Sequence, residues 1–174
     1  MTLASRRYAC RYLVLLTALV WIVSRSGLAQ ESLTVSALPA GVSLDLAPGG
    51  IAVCPVPVTI TTTWVLGLTR LTVTLHASFS SSVAALTDGA GHNIPSASVL
   101  GQVTTGAPTI FTAFTQTGPF GGAGADLKLF SQGIGVSNQT GLRNDNLNLK
   151  IDLTGVPTPA GVYLGALNIQ AQAL

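Results

Sequence analysis

Residues 70–79, Arg-Leu-Thr-Val-Thr-Leu-His-Ala-Ser-Phe, decide the fold class of this chain. From Leu71 to Phe79 an apolar side chain stands at every second position, and the positions between them are Thr, His or Ser. Successive side chains of a β-strand point to opposite faces. The pattern therefore predicts a strand with one face in the core and the other in solvent. We expect His76, on the polar face, to be exposed.

The same alternation recurs along the chain. It is clear in Leu147–Leu153 and in Val162–Ala173, and Gly/Pro-rich breaks separate the segments. The shorter candidate strands are Leu33–Leu38, Val42–Leu46, Val58–Val65, Val99–Val103, Thr109–Phe114, Leu127–Phe130 and Ile134–Val136. No window combines a helical period with helix caps. One-sided alternation favours antiparallel sheets, so we predict an all-β, antiparallel immunoglobulin-like β-sandwich.

Residues 1–29 have the layout of a secretory signal peptide. Three arginines, Arg6, Arg7 and Arg11, precede the apolar run Tyr12–Val23, and small residues follow it up to Ala29. An apolar run interrupted by Arg25 is shorter than the roughly 20 residues of a membrane span. We therefore predict cleavage after Ala29, a single mature domain over residues 30–174, and localisation in the periplasm, at the cell surface or outside the cell.

Charge is scarce and unevenly divided. Charged residues make up 8% of the chain, against roughly 25% in an average soluble domain. The signal segment holds four of the eight basic residues, which leaves the mature chain four basic and six acidic residues, a formal net charge of −2. Four scattered positive charges do not form a nucleic-acid-binding surface. The composition also argues against a disordered chain. We expect no membrane association after cleavage.

Residues for catalysis are few. His92 follows Asp88 in a glycine-rich loop that also holds Asn93, and such a loop either binds a ligand or metal or is a plain surface turn. Nucleophilic catalysis needs a base beside the nucleophile, and no such motif is present. We assign no catalytic, cofactor-binding or metal-binding residue, expect no cofactor, and predict that the protein is not an enzyme.

Two further features have simple interpretations. The Asx-rich stretch Arg143–Asn146 offers oxygen ligands but is more typical of a turn before a strand. Cys54 is the one cysteine of the mature chain and stands among apolar residues. We expect it to be buried, because a free cysteine behaves as a small hydrophobic residue; the alternative is an intermolecular disulfide.

Residues Pro159–Ala171, Pro-Ala-Gly-Val-Tyr-Leu-Gly-Ala-Leu-Asn-Ile-Gln-Ala, carry a family resemblance. The segment resembles the closing hairpin of secreted bacterial pilin-like and spore-coat-U-like domains, in which a Pro-Ala-Gly-x-Tyr turn leads into a long final strand. The resemblance implies an immunoglobulin-like sandwich with a structural or adhesive role. Those domains usually hold a cysteine pair and end in an aromatic residue, whereas this chain keeps only Cys54 and ends in Leu174.

Leu33–Leu38, just after the predicted cleavage site, has two interpretations. It is the first strand of its own sheet, or it is donated to the exposed sheet edge of a neighbouring copy or surface protein.

We therefore predict a secreted structural or adhesive cell-surface protein, a pilus-like or coat-like subunit of bacterial type. The alternative is a carbohydrate- or ligand-binding sandwich module that stacks its ligand on aromatic side chains. The candidates for such stacking are Trp64, Phe111, Phe114, Phe120 and Tyr163.

Overall fold

The computed structural model of the protein describes residues 30–174. The predicted signal peptide, residues 1–29, lies outside the described residues. Within residues 30–174, no helix has the length and apolar character needed to traverse a bilayer.

Eleven strands and one short 3₁₀ helix make up the described chain. The strands are β1 (Ser32–Leu38), β2 (Ile51–Val53), β3 (Val58–Val65), β4 (Thr72–Ser78), β5 (Leu86–Thr87), β6 (Asn93–Ile94), β7 (Val99–Val103), β8 (Thr112–Ala113), β9 (Asp126–Gly133), β10 (Thr140–Asp152) and β11 (Asn168–Ala173). The 3₁₀ helix, Ser96–Ser98, leads directly into β7. β-Branched residues dominate β3, as their preference for a pleated, half-buried surface predicts, whereas the longest strand, β10, is rich in amide and charged residues.

Two antiparallel sheets pack on each other as a sandwich, which confirms the predicted fold class. The larger sheet has the order β1-β3-β10-β7-β8, and β2 extends it by pairing with the end of β10. The smaller sheet has the order β11-β4-β9. A separate two-stranded ribbon, β5-β6, lies between β4 and the 3₁₀ helix in the chain.

An aliphatic core fills the space between the sheets. Its fully buried side chains include Ile60, Leu75, Phe114, Leu127 and Leu147. Phe114 packs edge-on against Phe79 at a centroid distance of 5.1 Å. Cys54 is 6% exposed and belongs to this core, as the sequence predicts.

Most predicted strands are present, and five predictions need correction. Val42–Leu46 and Ile134–Val136 form no strand, and Thr109–Phe114 is reduced to the two residues of β8. Residues 162–167, predicted as part of the last strand, precede β11 without regular structure apart from a bridge between Leu164 and Thr87. Arg143–Asn146 is not a turn, because β10 runs through it and pairs it with β3.

The expected exposure of His76 is wrong. The loop of residues 115–124 crosses the outer face of the smaller sheet and leaves His76 only 6% exposed. Its ring meets Phe120 edge-on at 5.8 Å. Glycines allow this close approach, because a Cβ at Gly118 would overlap the carboxylate of Asp126, and one at Gly121 (φ 73°) would press on Ser78. The outer face of β4 is therefore buried as well as its inner face.

Candidate functional site

On one side of the sandwich the edge strands of the two sheets, β1 and β11, meet. β1 ends the larger sheet and β11 ends the smaller one, and the two strands lie close to each other. Neither strand contains a charged residue or a proline. Natural sheet edges are usually protected by charge, proline, a bulge or a covering segment. This side is therefore a chemically unprotected edge.

The inward side chains of both strands are incompletely buried. Leu33, Val35 and Ala37 of β1 pack against the core but stay partly exposed, and so do Ile169 and Ala171 of β11. In contrast, every residue of β4 from Val73 onward is buried. The core therefore closes poorly along this one side.

The other edges are protected. β9, the opposite edge of the smaller sheet, carries Lys128, is bulged against β4 between Leu75 and His76, and is bridged to Gln116 of the 115–124 loop. The larger sheet ends in β8, which is only two residues long. The contrast makes the β1–β11 side the best candidate for an interaction surface.

A small polar tether holds the start of β1. The carboxylate of Glu31 accepts hydrogen bonds from the Gly67 backbone N–H (2.8 Å) and from Nε of Arg70 (3.0 Å). The first of these bonds, helped by the second, lowers the pKa of Glu31. Beyond this tether, β1 is held by its pairing with β3 from Ser32–Val65 to Leu38–Thr59. Leu33–Leu38 thus lies in the sheet of its own chain, and its donation to a neighbour stays a prediction.

The predicted His92 loop forms a small closed turn. Asp88 accepts hydrogen bonds from the backbone N–H groups of Ala90 and His92, and its Oδ2 lies 2.6 Å from Nδ1 of His92. These contacts, His92 foremost, lower the pKa of Asp88. The structure brings no nucleophile or further ligand to the pair: among residues 30–174, no cluster of three His, Cys, Asp or Glu side chains could hold a metal ion.

The buried pair His76–Asp126 was missed by sequence reasoning. Nδ1 of His76 lies 2.8 Å from Oδ2 of Asp126, with both side chains buried. The other carboxylate oxygen of Asp126 and the hydroxyl of Ser78 are buried without a hydrogen-bond partner. The glycine-rich 115–124 loop is the only sequence signal for this arrangement, because a segment of that kind can lie flat on a sheet.

The aromatic residues proposed for ligand stacking divide into two groups. Trp64 and Phe114 are buried, and the indole N–H of Trp64 donates to the Asn138 carbonyl at 2.9 Å, so neither ring can stack on a surface ligand. Phe111, Phe120 and Tyr163 are half-buried. Only Tyr163 faces a cavity, and its partial desolvation, together with the charge of Asp88, raises its pKa.

Comparison with known proteins gives no relative: no family model, no curated protein and no solved structure matches this chain.

Proposed function

We propose that this protein is a secreted, non-enzymatic structural or adhesive subunit that associates with copies of itself by exchanging β1. The observation that carries the proposal is the β1–β11 side, where both edge strands lack charge and proline and their inward side chains are only half-buried. Such an edge gains buried apolar area and backbone hydrogen bonds when another chain adds to it.

β1 is the segment best suited to exchange. A neighbour's β3 offers it the same register, so exchange preserves every contact that β1 makes within its own chain. Residues 39–50, which follow β1, contain no regular secondary structure and include two prolines and three glycines. A segment of this kind can redirect the strand toward a second copy, and head-to-tail exchange that does not close produces a filament.

The surface composition fits an assembly role. Residues 30–174 contain ten charged side chains, and the outer face of the larger sheet is dominated by hydroxyl and amide groups. Thr59 and Thr61 of β3 donate hydrogen bonds to Asn146 and Asn144 of β10 at 3.0 and 2.8 Å. Low charge weakens the mutual repulsion that keeps copies of a protein apart.

Two cysteine variants test strand exchange directly. Thr34 of β1 and Thr63 of β3 are register partners whose side chains point away from the core. T34C and T63C are produced separately, mixed, refolded together at high concentration and oxidised. We expect a disulfide-linked dimer that contains one chain of each variant, because only exchange places β1 of one chain on β3 of the other.

Two control variants test the register of strand exchange and its link to accumulation at the cell surface. T34C mixed with T59C keeps the same chemistry but lies four positions out of register, and should give no dimer. The double variant T34C/T63C locks β1 within its own chain; it should remain monomeric on size exclusion and fail to accumulate at the cell surface. If the in-register pair gives no more mixed dimer than the out-of-register pair, the proposal is wrong.

A further inference from the structure

A large apolar cavity opens beside the core, at the end of the sandwich where β10 meets the chain before β11. Its volume is about 860 Å³. Two irregular segments, residues 42–48 and 158–165, form its walls, and core side chains form its floor. It lies away from the β1–β3 pairing.

The lining of the cavity is mainly apolar, with Ser43, Asp45 and Thr158 as its polar side chains apart from Tyr163. Leu44 and Leu46 point inward from the first segment, and Tyr163 and Leu167 come from the second wall and its continuation. The floor is built of Phe79, Leu86, Ile94, Val99, Leu149, Ile151 and Leu153. The phenol of Tyr163 already donates to the Pro159 carbonyl at 3.1 Å, so the wall that it forms presents its ring face and not a free donor.

The volume is too large for a packing defect. Protein interiors are packed as densely as organic crystals, with few voids larger than one water molecule. An apolar cavity of about 150 Å³ already binds benzene, and sites for small molecules span about 300–1,000 Å³. This cavity therefore has the dimensions of a ligand site, and its walls select an apolar ligand.

The negative charge at the mouth of the cavity restricts which head group a ligand can carry. Asp45 is the only charged residue of the lining, and it forms no ion pair with any residue between 30 and 174. Val42, Val162 and Leu164, on the same walls, are 39%, 76% and 71% exposed, so apolar groups share the mouth with Asp45 and with the hydroxyls of Ser43 and Thr158. The charge of Asp88, which is paired with His92, also acts on Tyr163 of the wall. A carboxylate or phosphate head group would meet a like charge with no cation beside it.

We propose that this cavity binds the aliphatic chain of an amphiphile whose head group is neutral or cationic. The chain replaces water over the Leu, Ile and Val floor, and the head group remains at the mouth beside Asp45. This site adds a lipid-like ligand to the proposed subunit, and one of its walls, residues 42–48, belongs to the connection that follows β1.

Competition between probes of equal chain length tests the proposal on the purified protein. Nile red, an uncharged dye, reports occupancy of the cavity, and decan-1-ol, decyltrimethylammonium and decanoate compete for it at neutral pH. We expect the alcohol and the ammonium compound to displace the dye at lower concentrations than decanoate. Asp45→Asn should improve the apparent affinity for decanoate about five-fold, the effect of one like-charge contact of about 4 Å in a water-like dielectric, because Asp45 is exposed. It should leave the apparent affinity for decan-1-ol unchanged.

Matched variants locate the site. Leu44→Trp fills the cavity from its irregular wall and should abolish displaceable dye binding, whereas Ala40→Trp, on the same connection but outside the lining, should not. Glu31→Gln removes an acid that is not part of the cavity lining. It should leave the ratio between the displacing concentrations of decanoate and decan-1-ol unchanged. Equal competition by decanoate and decan-1-ol, or undiminished binding in Leu44→Trp, overturns the proposal. So does dye binding that appears only in the monomeric T34C/T63C variant, because the occupant is then a second copy.

Discussion

Nδ1 of His76 and Oδ2 of Asp126 lie 2.8 Å apart on neighbouring strands of the smaller sheet, and the 115–124 loop covers both. Fifty residues separate the two in the chain. The pair stands on the face of the sheet that would otherwise be in solvent. The burial of the pair therefore depends on the loop. The loop in turn covers a polar surface, where an aliphatic side chain in place of His76 could not form a hydrogen bond with Asp126.

Loss of His76 should destabilise the protein strongly. His76→Ala leaves the carboxylate of Asp126 buried with no partner, which costs about 3–5 kcal/mol when one member of a buried pair is removed. Urea unfolding followed by circular dichroism measures the change. His92→Ala, which breaks the exposed pair with Asp88, is the matched control and should cost far less because solvent screens that pair. Equal losses in the two variants would contradict a buried role for His76.

Acid should loosen β1 before the rest of the sheet. The pKa of Glu31 is lowered in the folded protein, so its stabilisation of β1 is complete above the unfolded-state pKa of about 4.3 and is lost as the pH falls through the lower folded-state value. We expect the amide protection factors of β1, measured by hydrogen exchange, to fall in this range relative to those of β10.

Glu31→Gln supplies the control for this pH dependence. It removes the ion pair with Arg70 at every pH, so β1 should be less protected at neutral pH and should show no further step in acid. Asp88→Asn removes another acid with a lowered pKa, away from β1, and should keep the wild-type step. A step that survives in Glu31→Gln would show that another group controls β1.

Gly141 should be required for the position of Trp64. A Cβ at residue 141 would overlap the indole ring, which is buried and hydrogen-bonded to the Asn138 carbonyl. Gly141→Ala should cost about 1–3 kcal/mol, as overpacking does, and shift the fluorescence of Trp64 to longer wavelength. Trp64 is the only tryptophan of residues 30–174. Gly133→Ala, where a Cβ meets no atom within 4 Å, should change neither the stability nor the emission.

Strand periodicity predicts much of this fold because it reports which side chains face the core. Val58–Val65 and Val99–Val103 are strands with the predicted bounds, and the core alternation of residues 70–79 is correct. The periodicity carries no information about which segments cover the second face of a sheet. The burial of His76 comes from a loop that begins about forty residues later in the chain, and no local period encodes that contact.

The candidate sites were less predictable for the same reason. The segment Val42–Leu46 alternates like a strand because Leu44 and Leu46 face inward, yet it lines a cavity and pairs with nothing. Arg143 and Asp145 resemble turn residues by composition, but β10 carries them between the sheets. In Val42–Leu46 the periodicity identifies the inward side chains correctly but not what they face, whereas Arg143–Asn146 is predicted as a turn because its charged and amide residues hide the strand pattern.

Arg143 and Asp145 should act as one unit in stability. Asp145 is 1% exposed, and Nε of Arg143 lies 3.1 and 2.8 Å from its two carboxylate oxygens, while the guanidinium stacks 4.6 Å from the centre of the Phe130 ring. Arg143→Leu should cost about 3–5 kcal/mol, because it leaves the buried carboxylate without a charge partner and with only the hydrogen bond from the Thr105 hydroxyl at 2.8 Å.

The double variant Arg143→Leu/Asp145→Leu should recover most of that loss, since replacing a buried pair by apolar residues is often neutral or better. Arg143→Lys should not restore the wild type, because an ammonium group lacks both the two-pronged contact and the planar stacking on Phe130. Urea unfolding of the wild type, Arg143→Leu, Asp145→Leu and the double variant gives the coupling free energy between the two positions. Additive losses in the double variant would mean that the two side chains stabilise the fold separately, and that Arg143 acts mainly through Phe130 and the Thr105 carbonyl, to which it donates at 2.6 Å.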